Sequence, residues 1–255
     1  MRKVKANLPI RLEGSKNTRD LGGYPTGSMR NTASGQFLRS DNPSKFTPAD
    51  VKRLYDYGVR LVIDFRSDSE TDAAPCPLKG YEDVEYTNPQ MLDNVNVQPN
   101  KDEETGETKM LLPPTLGDIY IDFLDNKRHV YVKVFRDVLR HMEHCIFFNC
   151  TAGKDRAGTF AMLLLKTAGV SDEVAVIDYA ASGDNIKEDM DRVLETYRAQ
   201  GVTMDEDMIR SRPVHMERAL EHLNKTYGGI DNWLLECGLS NDEIDKLKSK
   251  LLGAY

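Results

Sequence analysis

The feature that most constrains the fold is a short apolar stretch followed by a polar loop and then by an apolar helix. The stretch Cys145-Ile-Phe-Phe-Asn149 lies between charged and turn residues, which is typical of a strand buried on both faces. A helical pattern with an apolar face covers residues 157–168. Because a buried strand, a short loop and a helix form the repeating unit of α/β proteins, we predict a central, mostly parallel sheet flanked by helices.

A second segment of the same kind occurs earlier in the chain. Thr47, Pro48 and Asp50 supply an N-cap, a first-turn proline and a capping-box carboxylate for a helix that ends near Gly58. The β-branched, apolar run over residues 59–65 then predicts a buried parallel strand. Helix, glycine and strand in this order again indicate an α/β fold.

Further elements follow from shorter patterns. Extended segments are expected at residues 10–12, 36–39 and 81–86, and Ser67-Asp-Ser-Glu70 is typical of the capping box of a short helix. Helical periodicity over residues 119–140 is interrupted near Asn126. The C-terminal third is predicted to be helical, with helices at residues 185–200, 214–226, 230–237 and 241–252.

Residues 87–118 are polar, contain prolines and show no regular pattern. So long an irregular stretch predicts a loop insertion within a single domain of residues 1–255. A mobile lid and a solvated surface loop are both consistent with its charged centre at residues 101–109.

The composition excludes several classes of protein. With 40% hydrophobic and 29% charged residues the chain is typical of a soluble globular protein. A formal net charge of -7 argues against binding nucleic acid or an anionic membrane by bulk electrostatics. The absence of a long apolar run predicts no stable membrane insertion, and a cytoplasmic location is expected, with removal of a secretion signal as the alternative. No pattern indicates the oligomeric state.

The cysteines point to a thiol rather than to a disulfide or a metal. Cys76, Cys145, Cys150 and Cys237 are too few and too widely spaced for a disulfide framework, and no Cys/His spacing of a metal site occurs. We therefore predict reduced thiols, no metal and no cofactor. All of them except Cys150 are expected to be inert apolar side chains.

Residues 150–156, here called the cysteine loop, have the character of an anion site. A loop between the end of a buried strand and the start of a helix brings free N–H groups and the positive end of the helix dipole together. The small residues Thr151-Ala152-Gly153 let the backbone approach an anion, and the planar guanidinium of Arg156 can hold two phosphate oxygens. The nucleotide-binding P-loop is excluded, because Phe148 replaces its first glycine and Asp155 its Ser or Thr.

Cys150 distinguishes this loop from other phosphate sites. N–H donors, a helix N-terminus and a cation around the thiol should lower its pKa, so that a thiolate is present at neutral pH. The Cys-x5-Arg spacing places sulfur below the anion and the arginine at the rim, where it stabilises the oxygens of the transition state. The loop therefore predicts attack on phosphorus, a cysteinyl-phosphate intermediate and its cleavage by water.

Two separate motifs carry a resemblance to a known family. Cys150-Thr-Ala-Gly-Lys-Asp-Arg156 resembles the signature loop of the cysteine-dependent phosphatases, in particular the bacterial tyrosine and dual-specificity phosphatases with Gly-Lys-Asp-Arg. Asn17-Thr-Arg-Asp-Leu-Gly-Gly23 is similar to the N-terminal motif of that family. Three shorter matches follow in the expected order, namely Leu38-Arg-Ser40, Ile63-Asp-Phe-Arg-Ser67 and Asp178-Tyr179.

The resemblance covers nearly the whole chain and implies hydrolysis of phosphate monoesters. Phosphotyrosine in proteins is the first substrate class that it implies, followed by phosphoserine, phosphothreonine and phosphoinositides. It assigns nucleophilic attack to Cys150, phosphate clamping to Arg156 and general acid catalysis to Asp155. Because the chain has no Trp-Pro-Asp loop, Asp118 in the insertion is the alternative acid.

The remaining site residues have open alternatives. Lys154 resembles a lysine that broadens substrate range in related enzymes, and a solvated loop lysine is the alternative. Asp20 and Arg19 either line the site or fix the turn at Gly22 and Gly23. Arg66 either reaches the bound phosphate or pairs with Asp20 or Glu70. Tyr179 is expected to pack in the core. The predicted substrate-binding set is Thr151, Ala152, Gly153, Lys154, Ala157, Asp20 and Arg66.

Two positions depart from the family pattern. Asn149 stands where the family commonly has His, and Ala157 stands where it often has Ser or Thr, so slower turnover is expected. The main competing hypothesis is therefore a phosphate-binding pseudophosphatase that recognises phosphorylated partners. A sulfur carrier or thiol redox protein is the third.

Overall fold

The computed structural model describes residues 8–91, 99–101, 108–110, 115–202 and 205–254. In chain order its strands are β1 (Leu8–Pro9), β2 (Arg19–Asp20), β3 (Phe37–Ser40), β4 (Val59–Asp64), β5 (Glu85–Thr87), β6 (Pro99–Lys101), β7 (Thr108–Met110) and β8 (Cys145–Asn149). Six of them form one sheet in the order β1-β2-β3-β8-β4-β5, and β6 pairs with β7.

The sheet is mostly parallel, as predicted. The four strands β3, β8, β4 and β5 run parallel, whereas β1 and β2 add an antiparallel edge. Asn149 at the end of β8 lies opposite Ser40 of β3 and Asp64 of β4. Three carboxyl ends therefore meet at one edge of the sheet, which is where α/β proteins bind ligands.

The predicted helical character of the chain is confirmed. Capping boxes at Thr47, Ser67 and Ser240 begin three of the helices. None of the helices in the described ranges has the length and hydropathy needed to traverse a lipid bilayer. The helices are α1 (Pro48–Asp56), α2 (Asp68–Ala73), α3 (Leu116–Asn126), α4 (Arg128–Arg140), α5 (Arg156–Thr167), α6 (Asp172–Asn185), α7 (Lys187–Ala199), α8 (Pro213–Tyr227), α9 (Ile230–Cys237) and α10 (Asn241–Leu251).

Some shorter elements differ from the sequence prediction. The strand expected at residues 10–12 is wrong, because the strand in this region is Leu8–Pro9 and residues 10–12 are irregular. Strand β2 has only two residues, which is too short to leave an alternating pattern in the sequence. The strand expected at residues 81–86 is Glu85–Thr87. Within the expected insertion, the pair β6 and β7 is regular structure, while residues 92–98, 102–107 and 111–114 lie outside the described residues.

Alternation along the strands divides the core into two layers. Ile146 and Phe148 of β8 face a large apolar cluster with α3 to α6 and α8 to α10, whereas Cys145 and Phe147 face a smaller cluster with α1. Helix α5 is buried over almost its whole length, since it packs on the sheet and beneath other helices. The strand, the cysteine loop and α5 thus lie at the centre of the fold.

A buried ionic network joins the antiparallel edge of the sheet to α6. Asp178 accepts a hydrogen bond from Arg19 Nε at 2.9 Å and one from Arg39 Nη1 at 2.5 Å, and all three side chains are at most 1% exposed. Tyr24 Oη donates a further bond at 2.7 Å. Burial alone would raise the pKa of Asp178, but the two guanidinium groups outweigh it and hold the pKa at about 2.

We expect Asp178→Asn to lower the free energy of unfolding by about 3–5 kcal/mol, because an amide cannot balance two buried arginines. Urea denaturation of the purified variant measures this loss. Asp184→Asn, an exposed position on the same helix, serves as the control and should change stability by less than about 0.5 kcal/mol. Equal stability of the two variants would contradict this account of the network.

Candidate active site

The cysteine loop is held between the segments that follow its two neighbouring strands. Phe65 N, after β4, donates to Asn149 O at 2.9 Å, and Asn42 N, after β3, donates to Thr151 O at 3.1 Å. Cys150 is 2% exposed and lies at the base of the loop, directly after β8. Helix α5 begins six residues later at Arg156. The structure therefore brings Cys150 and the start of a helix together, as predicted.

Buried side chains hold three consecutive carbonyl groups of the loop. Arg39 donates to Gly153 O at 2.8 Å and to Lys154 O at 3.1 Å, and Asn17 Nδ2 donates to Ala152 O at 2.9 Å. In a trans peptide unit the N–H points away from the C=O. The N–H groups of residues 153, 154 and 155 are thus directed away from the supporting side chains, where they can receive an anion.

Gly153 is required by the shape of the loop. Its φ is +66°, in the left-handed region that favours glycine, and an added Cβ would lie 2.6 Å from Ser40 O and 2.8 Å from Asn17 Nδ2. The predicted need for a small residue here is therefore also a need for close packing against β3.

Arg156 is oriented by a carboxylate that sequence reasoning did not place in the site. Its guanidinium donates to Glu70 Oε2 at 2.6 Å and to Glu70 Oε1 at 2.9 Å, and Nη2 also donates to Thr151 Oγ1 at 3.1 Å. Burial raises the pKa of Glu70, but Arg156 outweighs it and lowers the pKa to about 2. The sequence pattern predicted the capping box at Ser67, which fixes the start of α2. That local pattern does not indicate that Glu70 binds Arg156.

Asp155 is bound by a tyrosine from α3. Tyr120 Oη donates to Asp155 Oδ1, and Lys154 Nζ lies 3.4 Å from the same oxygen. Asp118, the alternative acid, accepts a bond from Thr115 Oγ1 at 2.8 Å and pairs with Arg218 of α8. On an α-helix, the side chains of residues i and i+2 point in directions roughly 200° apart. Tyr120 faces the cysteine loop, so Asp118 points away from it.

Lys154 is buried, so the alternative of a solvated loop lysine is wrong. The residue is 3% exposed, and its Nζ donates to Ile209 O at 2.8 Å and to Met208 O at 3.4 Å. Its ammonium group therefore connects the cysteine loop by hydrogen bonds to the turn at Met208 and Ile209, before α8.

Asp20 is not brought to the loop. It is 1% exposed, and its carboxylate accepts from Gly22 N at 2.7 Å, Gly35 N at 2.7 Å and Tyr57 Oη at 2.6 Å. Gly35 precedes β3, so these contacts lie at the edge of the sheet opposite to the loop. The structure thus places Asp20 in the turn, which was the alternative, while its neighbour Arg19 supports the loop through Asn17.

Arg66 also has a structural position. Its guanidinium pairs with Asp64 at 2.6 Å and donates to Asn42 Oδ1 and Ala74 O, and the residue is 1% exposed. The predicted pairing with Asp20 or Glu70 is wrong, because Asp64 at the end of β4 lies closer along the chain and is buried beside it. Arg66 therefore holds the strand end next to the loop.

The two positions that depart from the family pattern are both buried. Asn149 Nδ2 donates to Asp64 Oδ1 at 2.9 Å, which ties the strand before Cys150 to β4. Ala157 is completely buried in the first turn of α5. Asn149 therefore supports the strand end before Cys150 by a hydrogen bond from its uncharged amide to a buried carboxylate.

The other cysteines have the properties of inert thiols. Burial raises the pKa of Cys76 to about 11 and that of Cys237 to about 12, and it also raises the pKa of Cys145. All four cysteines are free thiols. In the described ranges, no three His, Cys, Asp or Glu side chains are placed to hold a metal ion.

Comparison with known proteins gives the loop its context. The model of the tyrosine phosphatase family matches residues 10–253. A tyrosine-protein phosphatase of Nostoc commune is 29% identical over 224 residues, which cover 84% of this chain and 74% of that protein. A putative tyrosine-protein phosphatase of Cupriavidus necator is 26% identical over 254 residues, covering 99% and 90%. The triple specificity protein phosphatase PtpB of Mycobacterium tuberculosis is 25% identical over 121 residues, covering 42% and 44%.

The family match covers strands β2 to β8, helices α1 to α10 and every residue of the cysteine loop. The resemblance found in the two sequence motifs therefore extends over almost the entire chain. This chain belongs to the tyrosine phosphatase family and is a phosphatase enzyme.

Proposed function

We propose that the enzyme hydrolyses phosphate monoesters through a cysteinyl-phosphate intermediate, with phosphotyrosine in proteins as its preferred substrate. One observation carries the proposal: Cys150 lies at the base of a loop whose carbonyls are held back by Arg39 and Asn17. The N–H groups left facing the anion, together with Arg156, supply donors for the oxygens of a phosphoryl group. Because these donors are fixed before substrate binds, they cost no reorganisation during the reaction.

The first step transfers the phosphoryl group to the enzyme. The Cys150 thiolate attacks phosphorus, the S–P bond forms and the bond from phosphorus to the leaving oxygen breaks. Asp155 donates its proton to that oxygen, so an alcohol or phenol departs and Asp155 is left as a carboxylate. Arg156 stabilises the charge on the remaining oxygens while Glu70 keeps its guanidinium in place.

The second step returns the enzyme to its starting state. Water attacks phosphorus, the S–P bond breaks and the electron pair returns to Cys150. Asp155 accepts the proton of the attacking water and becomes an acid again. The product is inorganic phosphate.

The burial of the nucleophile supports phosphotyrosine as the first substrate class. With Cys150 only 2% exposed, phosphorus must reach the base of a recess, and an aromatic ring carries the phosphate further from the peptide backbone than a Ser or Thr side chain does. Two relatives are named tyrosine-protein phosphatases, in agreement with this proposal. A third relative is named a triple specificity protein phosphatase, which favours a substrate range wider than one class. Phosphoserine, phosphothreonine and phosphoinositides are the secondary substrates that we propose.

We expect Cys150→Ser to lower phosphate release from a phosphotyrosine peptide by at least about a thousandfold, because the hydroxyl is a far weaker nucleophile than the thiolate. Release is measured in the presence of EDTA, and the matched control Cys237→Ser should stay within about twofold of the parent. The parent should act more slowly on the matching phosphoserine peptide and on a phosphoinositide. Tight phosphopeptide binding by the parent without release from any of the three substrates would favour a pseudophosphatase.

We expect Asp155→Asn to reduce kcat/KM for phenyl phosphate by at least about a hundredfold, because a poor leaving group needs a proton. For 2,4-dinitrophenyl phosphate, whose leaving group needs little protonation, the loss should be less than about tenfold. Asp118→Asn is the control, and a larger or more selective loss in that variant would transfer the acid role to Asp118.

A further inference from the structure

Two buried tyrosines form a hydrogen-bonded chain that ends on Asp155. Tyr120 is completely buried and Tyr179 is 1% exposed. Their hydroxyl oxygens lie 2.8 Å apart, and Tyr120 Oη also contacts Asp155 Oδ1. The two rings meet edge to face, with centroids 5.7 Å apart and an interplanar angle of 75°. These hydrogen bonds therefore connect α3, α6 and the cysteine loop.

The direction of the hydrogen bonds follows from the number of protons. A tyrosine hydroxyl has one proton to donate, and Asp155 Oδ1 is an acceptor both in the carboxylate and in the acid whose proton is on Oδ2. Tyr120 must therefore donate its proton to Asp155, and the contact between the tyrosines must be a bond from Tyr179 to Tyr120. Tyr179 thus holds the Tyr120 hydroxyl in the orientation that donates to the carboxylate.

Both charged and neutral partners of Asp155 contact the same oxygen. Tyr120 Oη and Lys154 Nζ each lie against Oδ1, and the Asp155 side chain keeps 30% of its surface exposed. A carboxyl group that transfers a proton needs one oxygen for that transfer and gains precision if the other oxygen is fixed. The two oxygens of Asp155 are therefore unequal.

We propose that Tyr120 is a positioning residue that fixes Asp155 through Oδ1, so that Oδ2 carries the proton to and from the reacting oxygen, and that Tyr179 supports Tyr120. This inference rests on the proposed role of Asp155 as the general acid and base. It adds Tyr120 and Tyr179 as positioning residues and assigns a separate role to each carboxylate oxygen of Asp155.

The same contact stabilises the charge that the first step creates. When Asp155 gives up its proton, the resulting carboxylate is met by a hydrogen bond from Tyr120 and by the ammonium group of Lys154. Burial, followed by the charge of Asp155, raises the pKa of Tyr120 well above its usual value, so the tyrosine remains a neutral donor at working pH. The benefit is largest for substrates whose leaving oxygen depends most on proton donation.

We expect Tyr120→Phe to reduce kcat/KM for phenyl phosphate by about tenfold, the loss typical of one hydrogen bond to a charged group. For 2,4-dinitrophenyl phosphate the change should stay within about twofold, because that reaction needs little acid assistance. Tyr179→Phe should give a smaller loss of the same selectivity. Equal losses on both substrates would overturn the proposal.

The matched control is Tyr131→Phe. Tyr131 is also completely buried, and its hydroxyl forms no hydrogen bond with the part of the chain that the structure describes. Removal of this hydroxyl tests the cost of a Tyr-to-Phe change in the core without touching Asp155, so both substrates should be turned over as by the parent. A selective loss in Tyr131→Phe as large as that in Tyr120→Phe would also overturn the proposal.

A double variant separates positioning from general damage. If Tyr120 acts through Asp155, Tyr120→Phe should cost less than about twofold further on phenyl phosphate when Asp155 is already Asn. A full tenfold additional loss would show that Tyr120 acts independently of Asp155 and would overturn the proposal. If Asp155→Asn alone shows no dependence on the leaving group, the proposed acid has failed, which is distinct from failure of the tyrosine contact.

Discussion

The cysteine loop depends most on the buried ion pair between Arg39 and Asp178. Through one end of its guanidinium Arg39 binds the α6 carboxylate, and through the other it holds the carbonyls of Gly153 and Lys154. Burying a charge is expensive unless it is paired and hydrogen-bonded, and Asp178 supplies that pairing. The loop therefore keeps its shape because Arg39 of the sheet is bonded both to the carboxylate of α6 and to the carbonyl groups of the loop.

A similar pairing organises the other side of the site. Arg156 is held by Glu70 from α2, so the guanidinium that we propose to bind the phosphoryl group is already oriented by the fold. Arg39 and Arg156 each have a carboxylate partner from a helix, Asp178 of α6 and Glu70 of α2 respectively. The site thus combines a positive rim with limited freedom of movement, which suits stabilisation of a transition state by fixed donors.

The parts predicted well from the sequence are those that depend on local pattern. The strand Cys145–Asn149 and the start of α5 follow from periodicity, and the capping boxes follow from spacing within one turn. For Asp20 and Arg66, local pattern left the choice between two roles open. Asp20 is the last residue of an antiparallel edge strand, and its partners Gly35 and Tyr57 lie 15 and 37 positions away. Arg66 pairs with a carboxylate two residues before it, but it also binds Asn42, 24 positions away.

By itself, the sequence determined the fold class, the position of Cys150 after a buried strand and the spacing of Asp155 and Arg156. These features depend on neighbours within a few residues. Only the tertiary structure decided which carboxylate binds which cation, and that Tyr120 binds Asp155. Glu70 and Arg156 are 86 positions apart, and Arg39 and Asp178 are 139 apart, so no local pattern encodes these pairs. Their partners are selected by how the helices pack on the sheet, since a buried charge must find its complement wherever the fold places one.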